Sequence, residues 1–276
     1  MKISKISKVY YNNKVYNFSV ADNHNYIANG VVVSNCHYCY TSAVKTGKNF
    51  DNIVEKADKV WGSLSIEDRP FQIAIGGAGE STMHPDWIEF VTKVKSLGIM
   101  PNYTTNGMHL SDNILRATEE VCGGVAVSWH PHIEKVFHGA MDKLSKIKTK
   151  LNVHLIVGED GSLEQMQKIY DKYQNIVDYF VVLPYMPVGR AKFVDTNDVW
   201  IRSFEWINTV NQKQFAFGAL FYEWLLKNET GLQMSIYEPE IFSGYRVMDD
   251  NYMNLYKSSY DLTLKNKINE KGIICI

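Results

Sequence analysis

Proline is missing from the first 69 residues of this 276-residue sequence, since all seven prolines lie at or after Pro70. Long apolar runs are missing as well, because no stretch approaches the roughly 18 apolar residues that a membrane-spanning helix needs. The N-terminus lacks the apolar stretch of a secretory signal. No internal repeat or low-complexity segment is found. These absences predict a protein that neither spans a membrane nor is exported, and the cytoplasm is the expected compartment.

An excess of charge of either sign is also missing. The formal net charge of −1 gives no reason to expect nucleic acid or a membrane surface as a partner. Cysteine is scarce, with four in the chain, and in a reducing compartment these are more typical of metal ligands or free thiols than of disulfides. Cys36 and Cys39 are three positions apart, which is a possible ligand spacing, whereas Cys122 and Cys275 are predicted to be isolated thiols.

The first 35 residues differ in composition from the rest. They carry four lysines and one aspartate, a net charge of +3, which leaves −4 for the remainder. Runs rich in β-branched and aromatic residues at 14–20 and 25–28 predict strands, and Asn29-Gly30 is typical of a hairpin turn. So short a segment does not bury enough apolar surface to be stable alone. Periodicity alone predicts that this segment is a hairpin that packs on the following domain.

The residues of segment 15–36 indicate something more specific. His24 is followed by asparagine and an aromatic residue, and Asn29-Gly30 is followed by an apolar run that ends in Asn35 and Cys36. This pattern resembles the last two sequence blocks of inteins. Because Met1 stands only 35 residues before Cys36, the resemblance implies that residues 1–35 are the C-terminal fragment of a split intein.

The resemblance implies three catalytic residues. The Cys36 thiolate would accept the upstream protein segment from a thioester. The Asn35 side chain would close on its own carbonyl and cut the 35–36 peptide bond, and His24 would assist the proton transfers. Asn17 and Ser34 stand where many inteins have aspartate and histidine. The first intein nucleophile is absent, so a partner chain with the N-terminal half is needed, and the +3 charge predicts that this half is acidic.

Beyond the two close cysteines, apolar runs alternate with amphipathic stretches, as in βα units around a parallel sheet. Strands are predicted at 71–75, 101–104, 124–128, 151–157 and 177–183, with helices such as 87–96 and 163–173 between them, and a further strand is expected to lead into the cysteines. Glycine-rich or polar motifs follow these strands, at the edge where α/β enzymes bind ligands.

The order of these motifs over about residues 36–195 resembles the radical S-adenosylmethionine (SAM) superfamily. The resemblance implies a partial (β/α)6 barrel that holds a [4Fe-4S] cluster through a C-x-x-x-C-x-x-C motif. Cys36 and Cys39 match its last two cysteines and are the expected metal ligands, since thiolates hold such clusters. The first cysteine would stand four residues before Cys36, in the partner chain's protein segment, so that splicing would complete the motif.

The same resemblance implies the SAM contacts. Gly79-Glu80 is similar to the family's Gly-Glu-Pro, whose open backbone holds the methionine amino group, with Ser81 in place of the proline. The expected SAM-binding residues are Tyr38, Gly77, Gly79, Glu80, Asn106, Ser128 and Gly158. His130 and His132 follow the fourth strand and are candidate catalytic residues. The implied reaction is reductive cleavage of SAM to methionine and a 5′-deoxyadenosyl radical, with electrons from a flavodoxin or ferredoxin. The sequence does not indicate the substrate.

The expected organisation is an intein fragment at 1–35, a radical SAM core at 36–196 and a C-terminal extension at 197–276. Aromatic patterns after residue 197 predict helices that cover the barrel, and 231–276 is expected to form a small strand-and-helix cap. Two alternatives stay open. One is a splicing-competent protein with a catalytically inactive radical SAM fold. The other is a zinc-binding α/β module, because a lone C-x-x-C motif also suits zinc.

Overall fold

A computed structural model describes residues 52–76, 79–187, 191–218, 221 and 224 with their side chains, and the backbone of 25–28, 31–34, 247–248, 254–256, 264–268 and 274–275. The first two strands, β1 (Asn25–Ala28) and β2 (Val31–Ser34), pair antiparallel, with Ala28 opposite Val31. Residues 29 and 30 therefore separate the two strands, which confirms the predicted hairpin.

Six parallel strands form the main sheet, in the order of the sequence. They are β3 (Gln72–Ile75), β4 (Met100–Thr105), β5 (Gly124–Ser128), β6 (Lys150–Val157), β7 (Tyr179–Pro184) and β8 (Phe215–Phe217). The five predicted strands are confirmed to within two residues at each end. The sheet is a parallel half-barrel, which matches the predicted partial-barrel fold.

Helices connect the strands, as parallel pairing requires. The first is α1 (Ile53–Ala57), continued by a π-type turn over Asp58–Gly62. After β3 to β7, respectively, come α2 (Trp87–Ser96), α3 (Asp112–Val121), α4 (Glu134–Leu144), α5 (Ser162–Tyr173) and α6 (Asn197–Ile207). The predicted helices 87–96 and 163–173 are thus confirmed. No helix in the described part of the chain is long and apolar enough to cross a membrane.

The core lies between the helices and one face of the sheet. In α2 the buried residues Trp87, Phe90, Val91 and Val94 recur at the spacing of one helical face. Along β6, buried residues alternate with half-buried ones. The helix-facing side of the sheet is therefore packed, while the opposite, inner side is lined by less buried side chains.

One prediction about the strands is wrong, and a second has no counterpart among the described strands. Residues 215–217 were expected to be helical but form β8, because Phe215 stacks on Tyr170 and Phe180 in the core, and so tertiary packing decides the backbone. The strand expected to lead into the cysteines is not found among the described strands of this sheet. The described strand that ends just before Cys36 is β2, which pairs with β1 in a separate two-stranded sheet.

The C-terminal part contains four short strands: β9 (Val247–Met248), β10 (Asn254–Tyr256), β11 (Leu264–Ile268) and β12 (Ile274–Cys275). They form an antiparallel sheet in the order β12-β11-β10-β9. The predicted cap thus contains more strand than expected.

Candidate functional site at the carboxyl edge of the sheet

The strand register brings the predicted site residues to one edge of the sheet. Ile75 pairs with Tyr103, Thr105 with Val127, Ser128 with His154, and Val157 with Pro184. Because all the strands run in the same direction, the segments that follow these pairs leave the sheet at the same edge. The structure therefore brings together, on adjacent strand ends, five predicted contacts: Gly79, Glu80, Asn106, Ser128 and Gly158.

The loop after β3 exposes its backbone at Gly79. This residue has φ 145°, which strongly favours glycine, and a Cβ added there would meet no atom of the described residues within 4 Å. Glu80 follows, and Ser81–Met83 form a single 3₁₀ turn. The open space beside Gly79 leaves the main chain accessible to a ligand at the position that the sequence predicted.

The Glu80 carboxylate joins the loop after β3 to the loop after β4. Its Oε1 accepts hydrogen bonds from the hydroxyls of Thr82, at 2.6 Å, and Thr105, at 2.9 Å. Its Oε2 accepts the backbone N–H of Asn106, at 2.7 Å. Thr82 and Thr105 are almost fully buried. Glu80 thus links the two loops, a role the sequence did not indicate.

Asn106 uses its side chain to stabilise its own turn. Its Oδ1 accepts the backbone N–H of Met108 at 2.9 Å, while the adjacent Gly107 has φ 82°. This loop also contacts the loop after β3 through His109, whose Nδ1 lies 2.7 Å from the carbonyl oxygen of Thr82. In this structure, Asn106 shapes the edge through its backbone and its turn.

The segment after β5 carries the two predicted histidines. Ser128 ends the strand, and Trp129 continues the pairing by donating its backbone N–H to the carbonyl of His154 at 2.9 Å. The rings of His130 and His132 lie with their centroids 5.6 Å apart. Both histidines therefore sit together directly beyond the carboxyl end of the sheet.

Gly158 is a packing position. It has φ 148°, and a Cβ added there would lie 2.7 Å from the Cβ of Tyr185, 2.8 Å from Cγ2 of Thr196 and 3.0 Å from Nε1 of Trp200. The carbonyl of Val157 accepts both the Trp200 indole N–H and the Tyr185 backbone N–H. Glycine at this position lets α6 close on the ends of β6 and β7.

Gly158→Ala is expected to lower the free energy of unfolding by about 3 kcal/mol, because backbone strain adds to overpacking. Denaturant titration followed by circular dichroism measures the effect. Gly139→Ala is the matched control, since an added Cβ in that helix meets no described atom within 4 Å, and we expect it to leave the stability unchanged or slightly raised. Equal stabilities for the two variants would contradict this account of Gly158.

A row of polar side chains on the inner face of the sheet was missed by the sequence analysis. The register places Thr104 and Asn152 on either side of the apolar Ala126, with Ser128 beside His154 one pleat further on. Asn152 Oδ1 is buried and has no hydrogen-bond partner among the described residues. The signal was present in the sequence, because asparagine and histidine alternate with buried aliphatic residues along 151–155.

His154 is uncharged at neutral pH, because burial lowers its pKa from 6.5 to about 4. The unfolded chain takes up this proton below pH 6.5, whereas the folded chain does not. The contribution of neutral His154 to the free energy of unfolding is therefore fully present above about pH 6.5. It is lost as the pH falls towards 4, by up to about 1.4 kcal/mol per pH unit. Denaturant titrations across this range should show that the free energy of unfolding changes with pH more steeply in the wild type than in His154→Gln, by that slope. Parallel pH profiles of the two proteins would contradict the assignment to His154.

The other predicted site residues lie outside the described residues. These are His24, Asn35 and Cys36 of the splice junction, Cys39, and the SAM contacts Tyr38 and Gly77. The isolated thiol of Cys122 is described, at the end of α3, where burial raises its pKa to about 12.

Known proteins resemble this chain in structure over far more of its length than in sequence. No protein-family model matches the chain. Among curated proteins, the chain is 45% identical over 49 residues to DNA topoisomerase 1 of Pyrococcus furiosus, a match that covers 18% of this chain and 5% of that protein. So short a match carries no argument about the rest of the chain.

Solved structures resemble far more of the chain. Streptococcus suis SuiB bound to its precursor peptide SuiA matches with a TM-score of 0.60 and 15% identity, over 81% of this chain and 56% of SuiB. SuiB bound to SAM matches with a TM-score of 0.55 and 16% identity, over 68% of this chain and 48% of SuiB. The enzyme anSMEcpe with bound SAM and the Cp18Cys peptide matches with a TM-score of 0.57 and 14% identity, over 87% of this chain and 74% of anSMEcpe.

This chain spans about half the length of SuiB. Both SuiB and anSMEcpe are radical SAM enzymes. At identities this low the likeness concerns the fold alone. The half-barrel of this chain has the partial-barrel fold of radical SAM enzymes.

Proposed function

We propose that this chain is the C-terminal half of a trans-splicing precursor whose mature product is a radical SAM enzyme. The observation that carries the proposal is the carboxyl edge of the half-barrel, where the open backbone of Gly79 adjoins the loops after β4, β5 and β6. Structures of this fold with bound SAM are among its matches. The enzyme would cleave SAM reductively.

The described residues fit SAM. The accessible main chain at Gly79 suits the amino group of its methionine moiety, and Ser128, at the end of a neighbouring strand, offers a hydroxyl for the ribose. Cys36 and Cys39 would hold two irons of a [4Fe-4S] cluster, with the third thiolate from the partner chain. When bound, the cluster and SAM would supply the radical chemistry, and this chain would orient the substrate and exclude water.

Splicing would join to Cys36 the partner's segment, which carries the missing cysteine four residues before Cys36. The register supports this part of the proposal, since Asn25 pairs with Ser34, and the residues that flank this pair in sequence are His24 and Asn35. Cys36 Sγ would attack the partner's thioester and release the intein thiol. The Asn35 side-chain nitrogen would then attack its own carbonyl carbon, which breaks the 35–36 bond. The freed Cys36 amine would finally attack the carbonyl carbon of the thioester on its own Sγ, which forms the peptide bond and releases the Cys36 thiol.

A peptide is the substrate class that we favour. SuiB and anSMEcpe are matched here in structures with a bound peptide. The inner face of this sheet adds a feature of its own, the buried Asn152 Oδ1, which would accept a hydrogen bond from a substrate N–H. Peptides carry such donors along their whole backbone.

The test is anaerobic mixing of the chain with its N-terminal partner half, followed by reconstitution with iron and sulfide. We expect a ligated product with an iron–sulfur absorption band that forms 5′-deoxyadenosine from SAM under reducing conditions. A ligated product that forms no 5′-deoxyadenosine would indicate an inactive fold. Zinc without iron or sulfide would favour the zinc-binding module. An equally stable, SAM-cleaving cluster in the unspliced chain would overturn the role of splicing.

A further inference from the structure

The main sheet begins with an open edge. Among the described strands, β3 pairs with β4 on one side and has no strand on the other. Gln72 and Ala74 are exposed, and the side chain of Phe71 is 84% exposed. Ile73 and Ile75 point to the helix side but are only half-buried, whereas Tyr103 beside them on β4 is 2% exposed. The first strand is therefore less covered than its neighbour.

This edge has none of the features that prevent strands from pairing with other chains. Edge strands in native proteins are usually blunted by charged side chains, proline or a bulge. Segment 71–75 contains no charged residue and no proline, and its register with β4 is continuous. Such an edge is suited to the addition of another strand.

The helix layer indicates which strand is missing. Each of α2 to α6 follows a strand of the main sheet, but α1 follows none among the described residues. Nevertheless α1 and its π-type turn pack in the same layer, with Ile53 and Trp61 buried, Trp61 and Phe90 rings 6.4 Å apart, and Asp58 paired with Lys93 at 2.7 Å. The helix of a βα unit is thus present, and no described strand of the main sheet precedes it.

The described strand that precedes α1 in the chain does not fill this place. It is β2, which pairs with β1 in the separate hairpin. In the proposed precursor, that hairpin is removed by splicing and the partner's segment is joined to Cys36 instead. The new segment would then occupy the position in the chain directly before the cysteines and α1.

We infer that the partner chain contributes a strand that adds parallel to β3 and completes the first βα unit. This inference rests on the proposed function. Parallel addition follows from the crossover through α1, which returns the chain to the start of β3. A parallel strand ends at the carboxyl edge beside Gly79 and Glu80, and so it would deliver the completed cysteine motif to the candidate site. Its apolar side chains would bury Ile73 and Ile75.

A fusion to the full chain tests this without splicing. A short alternating Val-Thr strand is placed before Met1 through a flexible Gly-Ser linker, and Asn35→Ala prevents cleavage. In the matched control, two prolines interrupt the strand and remove its hydrogen-bond donors. We expect the edge-facing amides of 72–75 to exchange with deuterium at least about tenfold more slowly in the strand fusion than in the proline fusion.

Three outcomes would overturn the inference. The first is equal exchange in the two fusions. The second is slow exchange of these amides in the unfused chain, because the edge would then be covered by this chain itself. The third is antiparallel docking. A spin label at the C-terminal end of the probe strand distinguishes the directions, since parallel docking broadens the amide signal of Glu80 and antiparallel docking that of Phe71. No readout uses the cluster, SAM or ligation, so failure of the proposed function would be recognised separately.

Discussion

Cys36→Ser is expected to ligate the partner slowly and to yield a product without SAM-cleaving activity. A serine hydroxyl still accepts an acyl group, but it is a far weaker nucleophile than a thiolate. It also replaces a thiolate ligand of the cluster. We expect 5′-deoxyadenosine formation to fall at least about a thousandfold per mole of ligated product. Gel analysis of ligation and anaerobic product assays measure the two effects separately.

The matched control is Cys122→Ala. This thiol is buried at the end of α3 with a raised pKa of about 12, and we expect both ligation and iron content to be unchanged. A ligated Cys36→Ser product with full iron content and activity would show that Cys36 is not a cluster ligand. Unimpaired ligation by Cys36→Ala would show that it is not the splicing nucleophile.

Glu80→Ala is expected to weaken SAM binding by the ligated enzyme by about ten- to a hundredfold. The free energy of unfolding should fall by about 2–3 kcal/mol, because the buried Thr105 hydroxyl and the Asn106 N–H lose their acceptor, while the Thr82 hydroxyl keeps the carbonyl oxygen of His109 at 2.9 Å. The loops after β3 and β4 would keep their contacts between Thr82 and His109 but lose the carboxylate link, and Gly79 would be held less firmly. Equilibrium binding of SAM and denaturant titration measure the two losses.

Glu80→Gln tests whether the effect depends on both carboxylate oxygens. Its amide keeps one acceptor but turns an NH2 group towards a donor, so an intermediate loss is expected. Glu89→Ala on the exposed face of α2 is the control for removing a carboxylate, and it should change neither quantity. If Glu80→Ala bound SAM as tightly as the wild type, the carboxylate would not position this site.

Much of the fold was predictable because the helices and the longer strands have local signals. Trp87–Ser96 was predicted at its observed bounds, since its apolar residues recur with the helical period. Gly124–Ser128 was predicted as found, because it is a short apolar run bounded by a glycine. Phe215–Phe217 was not, because three residues carry too little periodicity, and stacking on Tyr170 and Phe180 decides their conformation.

Some features of the candidate site were likewise predictable from the sequence, and others were not. Gly79 and Gly158 could be singled out because a motif or a strand end marks them, and each has a backbone conformation suited to glycine. The sequence did not predict that Glu80 binds Asn106, since 26 residues separate them. Likewise, the low pKa of His154 depends on burial, which arises only when the sheet and its surroundings are assembled.

The sequence alone determined the order of the βα units, the hairpin before Cys36 and the glycine-marked strand ends, because these depend on residues near one another in the chain. The tertiary structure decided which strands are neighbours, which carboxylate joins the loops and which edge stays open. These features depend on pairing and burial between distant segments. The open edge of β3, in particular, could be recognised only once the strand order and the position of α1 were known.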